Sequence, residues 1–189
     1  MRFVRSHRQR FLRLPLFVVS GASGTGQSPV CQSLLGNLPG VVVLDSDILW
    51  RPEFGSTGAG APTFCETWLR VAKNVGQSGC PVLLFGSAVG VPDNVERCVE
   101  RRYFEDVYYL ALVCSDDVLA DRLRNRPRWR DSDSPEYVSR HLAFNQWFKT
   151  RSRDLTPAIE LLDTTSCPIS STAQKVAAWI KRMARVRQD

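Results

Sequence analysis

Five short apolar runs recur along the chain, with almost no polar residues inside them. They cover residues 16–19, 41–44, 82–85, 108–113 and 159–162, and they are rich in Val, Leu, Ile and aromatic residues. A strand with one solvated face alternates apolar and polar residues, whereas a strand buried on both faces of a parallel sheet is continuously apolar. The pattern therefore predicts five strands of a parallel sheet, buried on both faces.

Segments with helical signals separate these runs. Ser134 precedes Pro135, as an N-cap precedes a proline in the first turn of a helix. Thr63 and Asp93 each open an apparent capping box. Residues 172–183 carry apolar side chains at helical spacing. The resulting order, β-α-β-α-β-α-β-α-α-β-α, predicts an α/β fold.

Length and composition are those of one enzyme-sized globular domain. The chain has 189 residues, of which 43% are hydrophobic and 23% are charged. Its apolar runs are too short to span a bilayer. Its six cysteines are scattered without a C-x-x-C pair, which argues against a zinc site or a disulfide framework. We therefore expect a cytoplasmic protein without membrane contact.

The net charge of +6 is concentrated in part at the two ends of the chain. An N-terminal arm, residues 1–15, contains several arginines and no acidic residue. A solvated tail is the simplest interpretation, while an organelle-targeting segment or a start codon placed too far upstream are alternatives. Nucleic-acid binding through the tails is a weaker hypothesis. We expect residues 16–189 to form a single domain.

A glycine-rich turn follows the first apolar run and leads into a helix. The pattern G-x-x-x-x-G-K-[ST] describes a phosphate-binding loop. Gly21, Gly24, Gly26 and Ser28 stand where this pattern needs them, and Gln27 stands in the place of the lysine. Backbone N–H groups and the positive end of the helix bind phosphate in such a loop. The alternative is a strand-to-helix turn that binds nothing.

Nucleotide contacts are expected from seven residues of this loop: Gly21, Ser23, Gly24, Thr25, Gly26, Gln27 and Ser28. The Ser28 hydroxyl is also a candidate ligand for Mg²⁺. The usual lysine neutralises charge that develops on the phosphates during transfer. Because Gln27 carries no charge, its presence affects catalysis more than binding.

Two acidic residues follow the second apolar run. Asp45 and Asp47 would point to the same side of an extended segment, so both would face the phosphate loop. One carboxylate could then hold Mg²⁺ while the other accepts a proton from an attacking hydroxyl. The alternative is a turn in which the aspartates cap the next element.

Three further loops follow predicted strands. Gly86 and Gly90 permit either a close ligand approach or an ordinary turn. The arginine-rich segment near residues 124–134 predicts a mobile lid that lays guanidinium groups on a polyphosphate, with a solvated basic turn as the alternative. Thr165 lies in a loop positioned to contact a base, or in a plain turn. His141, like His7, has no accompanying nucleophile motif, and we interpret both as incidental.

In this order, the motifs resemble those of the small P-loop kinases, which include nucleoside, nucleotide and shikimate-type kinases. In detail, the chain is similar to a bacterial nucleoside-kinase-like ATPase family. The resemblance covers residue 16 to about residue 183. It implies a three-layer P-loop NTPase fold, with a five-stranded parallel sheet in the order 2-3-1-4-5 flanked by helices.

The resemblance also implies ATP and Mg²⁺ as cofactors. It places Ser28 and Asp45 near the metal and Asp47 near the acceptor hydroxyl. Arginines near the phosphates would come from Arg122, Arg126 and Arg128.

We therefore expect an ATP-binding phosphotransferase that transfers the γ-phosphate to a small hydroxylated or phosphorylated acceptor, such as a nucleoside or nucleotide. The alternative is a nucleotide-binding pseudokinase with little turnover. The acceptor pocket falls within residues 50–70, the least patterned part of the chain.

Overall fold

The structure is a computed structural model, and it describes residues 13–51, 61–127, 130 and 132–186. Its strands are β1 (Leu16–Gly21), β2 (Val42–Asp45), β3 (Val82–Phe85), β4 (Val107–Val113) and β5 (Ile159–Asp163). Its α-helices are α1 (Gln27–Leu34), α2 (Ala61–Gly76), α3 (Pro92–Glu96), α4 (Asp116–Arg124), α5 (Pro135–Arg151) and α6 (Ile169–Val186). Short 3₁₀ helices cover Ser46–Leu49, Ala88–Gly90 and Val99–Tyr103.

The five strands form one parallel sheet in the order β2-β3-β1-β4-β5. This confirms the predicted fold class and strand order. β1 is central, with Val18 paired to Leu84 of β3 on one side and to Tyr109 of β4 on the other. The loop after β1 therefore lies at the middle of the carboxyl edge, where ligands of such sheets bind.

Helices cover both faces of the sheet and divide the core into two layers. Leu16 and Val18 pack into the cluster formed with α2, α3 and α5. Phe17 and Val19 point the other way, into the cluster formed with α1 and α6. This alternation explains why the runs are continuously apolar, since each successive side chain enters a different buried layer.

The two edge strands, β2 and β5, depart from this rule. In β2 only Val43 is fully buried. In β5 only Ile159 is fully buried, whereas the Leu161 side chain is 41% exposed. β5 lies at the edge of the sheet, and its Glu160 accepts a hydrogen bond from Trp179 of α6. The prediction of burial on both faces is therefore wrong for β2 and β5, because an edge strand has solvent beside it.

The helix starts are partly as predicted. Ser134 caps α5, and its Oγ accepts a hydrogen bond from the Tyr137 N–H at 3.2 Å. Thr63 instead lies inside α2, and α3 begins at Pro92 with Val91 as its N-cap. The capping boxes predicted at Thr63 and Asp93 are therefore wrong.

Within the described residues, no helix is both long enough and apolar enough to cross a membrane. Most of the predicted N-terminal arm, including His7, lies outside the described residues.

Candidate active site

A cavity of about 390 Å³ opens at the carboxyl edge of the sheet, beside the loop that joins β1 to α1. Four parts of the chain line it: this loop with the start of α1, the segment after β2, the segment after β3 and the basic segment after α4. The lining residues are Ser23, Gly24, Gly26, Gln27, Ser28, Pro29, Asp47, Ser87, Arg126, Pro127 and Arg130. The structure thus gathers most of the predicted loop residues with one predicted acid and two arginines of the predicted lid.

Glycine is required in the phosphate loop for two different reasons. Gly24 has a φ of +98°, and a Cβ there would lie 2.7 Å from Cδ1 of Leu119. Gly26 has a φ of +102°, but a Cβ there would meet no atom within 4 Å. Both positions disfavour side chains through their backbone angles. Gly24 additionally lets the loop pack against α4, and Gly26 leaves space at the N-terminus of α1.

Thr25 supports the loop from behind. Its hydroxyl donates to the Ala22 carbonyl at 2.9 Å, and its own carbonyl accepts from the buried Thr164 hydroxyl at 3.0 Å. The Thr25 side chain does not line the cavity. The structure therefore does not place the Thr25 side chain where it would contact a nucleotide in this cavity.

Gln27 turns its amide back onto the loop. Its Nε2 donates to the Gly21 carbonyl at 2.7 Å, and the Ser87 hydroxyl donates to the same carbonyl at 3.1 Å. These two bonds hold the beginning of the loop to its end and to the segment after β3. Gln27 thus stabilises the loop conformation without supplying a cation.

Ser23 forms hydrogen bonds with three side chains from the C-terminal half of the chain. Its Oγ accepts a hydrogen bond from Nη1 of Arg126 at 2.8 Å and one from the Tyr137 hydroxyl at 3.1 Å. Its backbone N–H donates to Nδ1 of His141 at 3.2 Å. The Tyr137 and His141 rings lie 4.3 Å apart. The interpretation of His141 as incidental is therefore wrong.

The charges around Ser23 favour a neutral imidazole. Burial, then repulsion from Arg140 and Arg126, lowers the pKa of His141 to about 4. Nδ1 therefore accepts a hydrogen bond throughout the neutral pH range. Burial also lowers the pKa of Arg126, but a guanidinium stays protonated in proteins. None of the ion pairs within the described part of the chain involves Arg126.

The two aspartates do not act as a matched pair. Oδ1 of Asp45 accepts a hydrogen bond from the Asp47 N–H at 2.9 Å and thereby caps the 3₁₀ helix Ser46–Leu49. Asp47 lines the cavity and Asp45 does not. The expectation that both face the loop is wrong, because it assumed an extended backbone and the chain turns at Ser46.

Asp47 is the acidic group at the cavity. Asp47 is exposed, yet partial loss of hydration, and then the Asp45 charge, raises the pKa of its carboxyl group. A raised pKa makes a carboxylate a better proton acceptor. Metal binding by Asp45 stays a prediction.

The lining also suits Mg²⁺. The Ser28 hydroxyl and the Asp47 carboxylate are oxygen donors on the same cavity. Within the described ranges, no group of three or more His, Cys, Asp or Glu residues is placed to hold a metal. Mg²⁺ is usually held by one or two protein oxygens together with substrate phosphates.

Arg122 points away from the cavity. Its Nη2 donates to the carbonyls of Thr164 at 2.9 Å and Thr165 at 3.2 Å, and its Nη1 lies 3.5 Å from the Gly24 carbonyl. The predicted phosphate ligand thus joins the loop after β5 to the back of the phosphate loop. Its guanidinium is directed to carbonyl oxygens because α4 approaches the phosphate loop from behind.

Thr165 belongs to the same supporting arrangement. Its hydroxyl donates to Oδ1 of Asp163 at 2.6 Å and accepts from the Ser115 N–H at 2.9 Å. Thr165 does not line the cavity, and its predicted contact with a base stays a prediction.

The glycines after β3 make close approaches, but to the chain itself. A Cβ at Gly86 would lie 1.9 Å from the Ser46 hydroxyl oxygen, and one at Gly90 would lie 1.9 Å from that of Ser20. These approaches pack the segment after β3 against β1 and against the 3₁₀ helix that follows β2. Of the two predicted alternatives, a close ligand approach or an ordinary turn, the structure shows the turn.

The predicted lid is described in part. Arg126, Pro127 and Arg130 line the cavity, opposite the phosphate loop. Arg128 lies outside the described residues, so its predicted catalytic role stays a prediction.

Comparison by sequence matches no family profile and no curated protein. Comparison of structures is informative. A sugar kinase from Janibacter sp. HTCC2649 is 17% identical with a TM-score of 0.66, covering 89% of this chain and 95% of that one. A gluconokinase from Sinorhizobium meliloti 1021 is 20% identical with a TM-score of 0.62, covering 93% and 97%. A shikimate kinase from Acinetobacter baumannii, in complex with shikimate, is 19% identical with a TM-score of 0.57, covering 90% and 94%.

The chain has the fold of the small P-loop kinases. The similarity extends over nearly the whole of the chain and of its structural neighbours. Within this P-loop kinase fold, Gln27 occupies the lysine position of the phosphate-loop pattern. The remaining question is what chemistry the cavity supports with that substitution.

Proposed function

We propose that this protein is an ATP-binding phosphotransferase that transfers the γ-phosphate to a small hydroxylated or phosphorylated acceptor. The observation that carries the proposal is the single cavity shared by the phosphate loop, Asp47 and Arg126. A phosphate-binding loop, an acid and a cation around one space are the groups that phosphoryl transfer requires.

The loop would bind the triphosphate through backbone groups. α1 begins at Gln27, directly at the cavity, so the positive end of its dipole is available to phosphate oxygens. Ser28 and the phosphates would hold Mg²⁺, which when bound neutralises charge on the phosphate oxygens. Asp45 is a further candidate for this metal through its unshared oxygen or through water.

Asp47 would act on the acceptor. A carboxylate with a raised pKa at the cavity is suited to accept the proton of an attacking hydroxyl. Arg126 would stabilise the phosphate being transferred, and Arg128 remains a second candidate for this role. Residues 50–70 would shape the acceptor pocket.

A pseudokinase remains the second candidate, and the bond from Gln27 to Gly21 favours it. The amide is already engaged with the loop, and it offers no charge to the phosphates. Such a protein would bind nucleotide and release little or no ADP.

Other proposals concern organisation. We assign residues 16–189 to one domain with a lid near residues 124–134. A cytoplasmic location is supported by the six cysteines, all of which are free thiols in the structure.

The first test is nucleotide binding. Calorimetry with Mg-ATP and Mg-GTP should show binding to the parent protein and none to Gly26→Val, whose side chain would project into the phosphate site. Gly79→Val is the matched control, since Gly79 also has a positive φ, +90°, and open space around it. The site assignment fails if millimolar nucleotide does not bind the parent, or if both variants lose binding equally.

The second test identifies the reaction. A coupled ADP-release assay should be run over nucleosides and nucleoside monophosphates. Sugars and sugar acids belong in the same panel, because sugar and gluconate kinases are among the structural neighbours. Acceptor-dependent ADP release supports the phosphotransferase, whereas binding without ADP release for any acceptor or for water supports the pseudokinase.

A further inference from the structure

Arg126 is a partly buried cation that has no acidic partner among the residues that the structure describes. Its guanidinium lines the phosphate cavity and donates to the Ser23 hydroxyl at 2.8 Å. No ion pair within the described residues neutralises it. Since a partly buried cation without a counter-ion is costly, this placement suits an anionic ligand in the cavity.

The phosphate loop at this cavity has no lysine, the residue that usually supplies a cation to the phosphates. Gln27 is neutral, and its amide nitrogen already donates to the Gly21 carbonyl. A guanidinium has five N–H groups, so Arg126 can keep its bond to Ser23 while it donates to phosphate oxygens. Arg126 therefore has the charge, position and spare donors that Gln27 lacks.

The position of Arg126 depends on how Ser23 is held. The Tyr137 hydroxyl donates to the Ser23 hydroxyl at 3.1 Å, and His141 accepts from the Ser23 N–H at 3.2 Å. Both residues lie in the first half of α5, whose start is fixed by the cap from Ser134 to the Tyr137 N–H. Two side chains of one helix thus hold the hydroxyl and the backbone N–H of Ser23.

We propose that Tyr137 and His141 are positioning residues that act through Ser23 to hold Arg126 over the phosphate loop, where Arg126 supplies part of the charge that a lysine supplies in ordinary loops. The inference rests on the proposed function, because it requires a triphosphate in the cavity. It adds that the terminal phosphate is recognised through the segment after α4 and the start of α5, and not through α1 alone.

The test is the preference for ATP over ADP, which isolates the terminal phosphate. Calorimetry with Mg-ATP and Mg-ADP should show tighter binding of ATP to the parent. Arg126→Ala, Tyr137→Phe and His141→Phe should each reduce this preference, by on the order of 10-fold for Arg126→Ala and several-fold for the others, with ADP affinity little changed. His141→Asn should restore most of the preference, because its side-chain oxygen can accept from Ser23.

Two controls separate positioning from folding. Tyr108→Phe removes a tyrosine hydroxyl that bonds only to Asp106 among the contacts described, far from the cavity, and should leave the preference unchanged. Thermal melting of every variant checks the fold, and Ser23→Ala serves in place of any variant that does not fold. In the Arg126→Ala background, Tyr137→Phe should have no further effect on the preference, since residues that act in series are not additive.

The outcomes distinguish the two proposals. A parent that binds neither nucleotide refutes the proposed function and the positioning role with it. A parent that binds both, with variants that weaken ATP and ADP equally, refutes the positioning role alone. The same holds if Tyr137→Phe reduces the preference as strongly without Arg126 as with it.

Discussion

Restoring a charge at position 27 tests the chemistry of this loop most directly. Gln27→Lys replaces a neutral amide at the N-terminus of α1 by an ammonium group of slightly greater reach. We expect turnover, measured as ADP release, to rise on the order of 10²-fold, with a smaller gain in nucleotide affinity.

The expected cost to the fold is small and follows from the local hydrogen bonds. The substitution removes the 2.7 Å bond from Gln27 to the Gly21 carbonyl, which contributes about 1 kcal/mol. The Ser87 hydroxyl still donates to that carbonyl at 3.1 Å, so no buried acceptor is left without a partner. The free energy of unfolding should therefore fall by no more than about 1 kcal/mol.

The expected gain follows from electrostatics at the cavity. Two unit charges about 4 Å apart interact by about 4 kcal/mol at an effective dielectric constant of about 20. Loss of ammonium hydration and repulsion from the nearby Arg126 guanidinium offset part of this energy. A net stabilisation of about 2.7 kcal/mol of the transition state corresponds to the 10²-fold increase.

The assay is coupled ADP release at saturating Mg-ATP, with water and with any acceptor found in the panel. Gln27→Met is the matched control, because it loses the same hydrogen bond and adds no charge; it should lower stability similarly without raising turnover. If Gln27→Lys leaves the rate of ADP release unchanged, both in the otherwise unaltered protein and in the Arg126→Ala variant, the hypothesis that a missing charge at position 27 limits turnover is refuted. A gain confined to the Arg126→Ala background would show that Arg126 already supplies the full charge.

Three other outcomes are expected. Gly24→Ala should lower the free energy of unfolding by about 2 kcal/mol or more in denaturant titrations, because it adds a steric clash to the strain of a positive φ. Gly36→Ala also has a positive φ but open space around it, so it should cost only about 1 kcal/mol. Equal costs for the two variants would contradict this reasoning. Asp47→Asn should lower acceptor-dependent turnover while Mg-ATP affinity is retained. Asp45→Asn, which can still accept the capping hydrogen bond, should weaken the Mg²⁺ dependence of the reaction. If neither variant has an effect, both aspartates have only a structural role in the turn. Folding lowers the pKa of His141 from 6.5 to about 4, so between these pH values the unfolded state binds more protons than the folded state. The free energy of unfolding should therefore decrease by about 1 to 2 kcal/mol as pH falls from 6.5 to 4, after allowance for solvent screening. This loss should be smaller in His141→Asn.

The sequence alone determined the features that depend on short stretches of chain. Each apolar run carries β-forming side chains, so all five strands were predicted, but burial on both faces holds only for the three inner strands, β1, β3 and β4. The phosphate loop is equally local, since Gly21, Gly24, Gly26 and Ser28 lie within eight consecutive positions. Together these features fixed the class of fold and the location of the cavity.

Side-chain direction required the tertiary structure even within a motif. Asp45 and Asp47 are two residues apart, but a 3₁₀ turn at Ser46 turned one into a cap and left the other at the cavity. Arg122 and Arg126 belong to the same basic segment, yet the packing of α4 sends the first to carbonyl oxygens and the second to Ser23. Spacing in a sequence does not specify such directions, because they depend on where the next element packs.

The arrangement around Ser23 was decided by the tertiary structure alone. His141 is 118 residues away from Ser23 and Tyr137 is 114 residues away, and neither belongs to a recognisable motif. They meet Ser23 because α5 returns across the carboxyl edge of the sheet, next to the loop after β1. A contact made by folding two distant segments together leaves no periodicity or spacing in either of them, and for that physical reason the sequence could name the phosphate loop but not the residues that hold it.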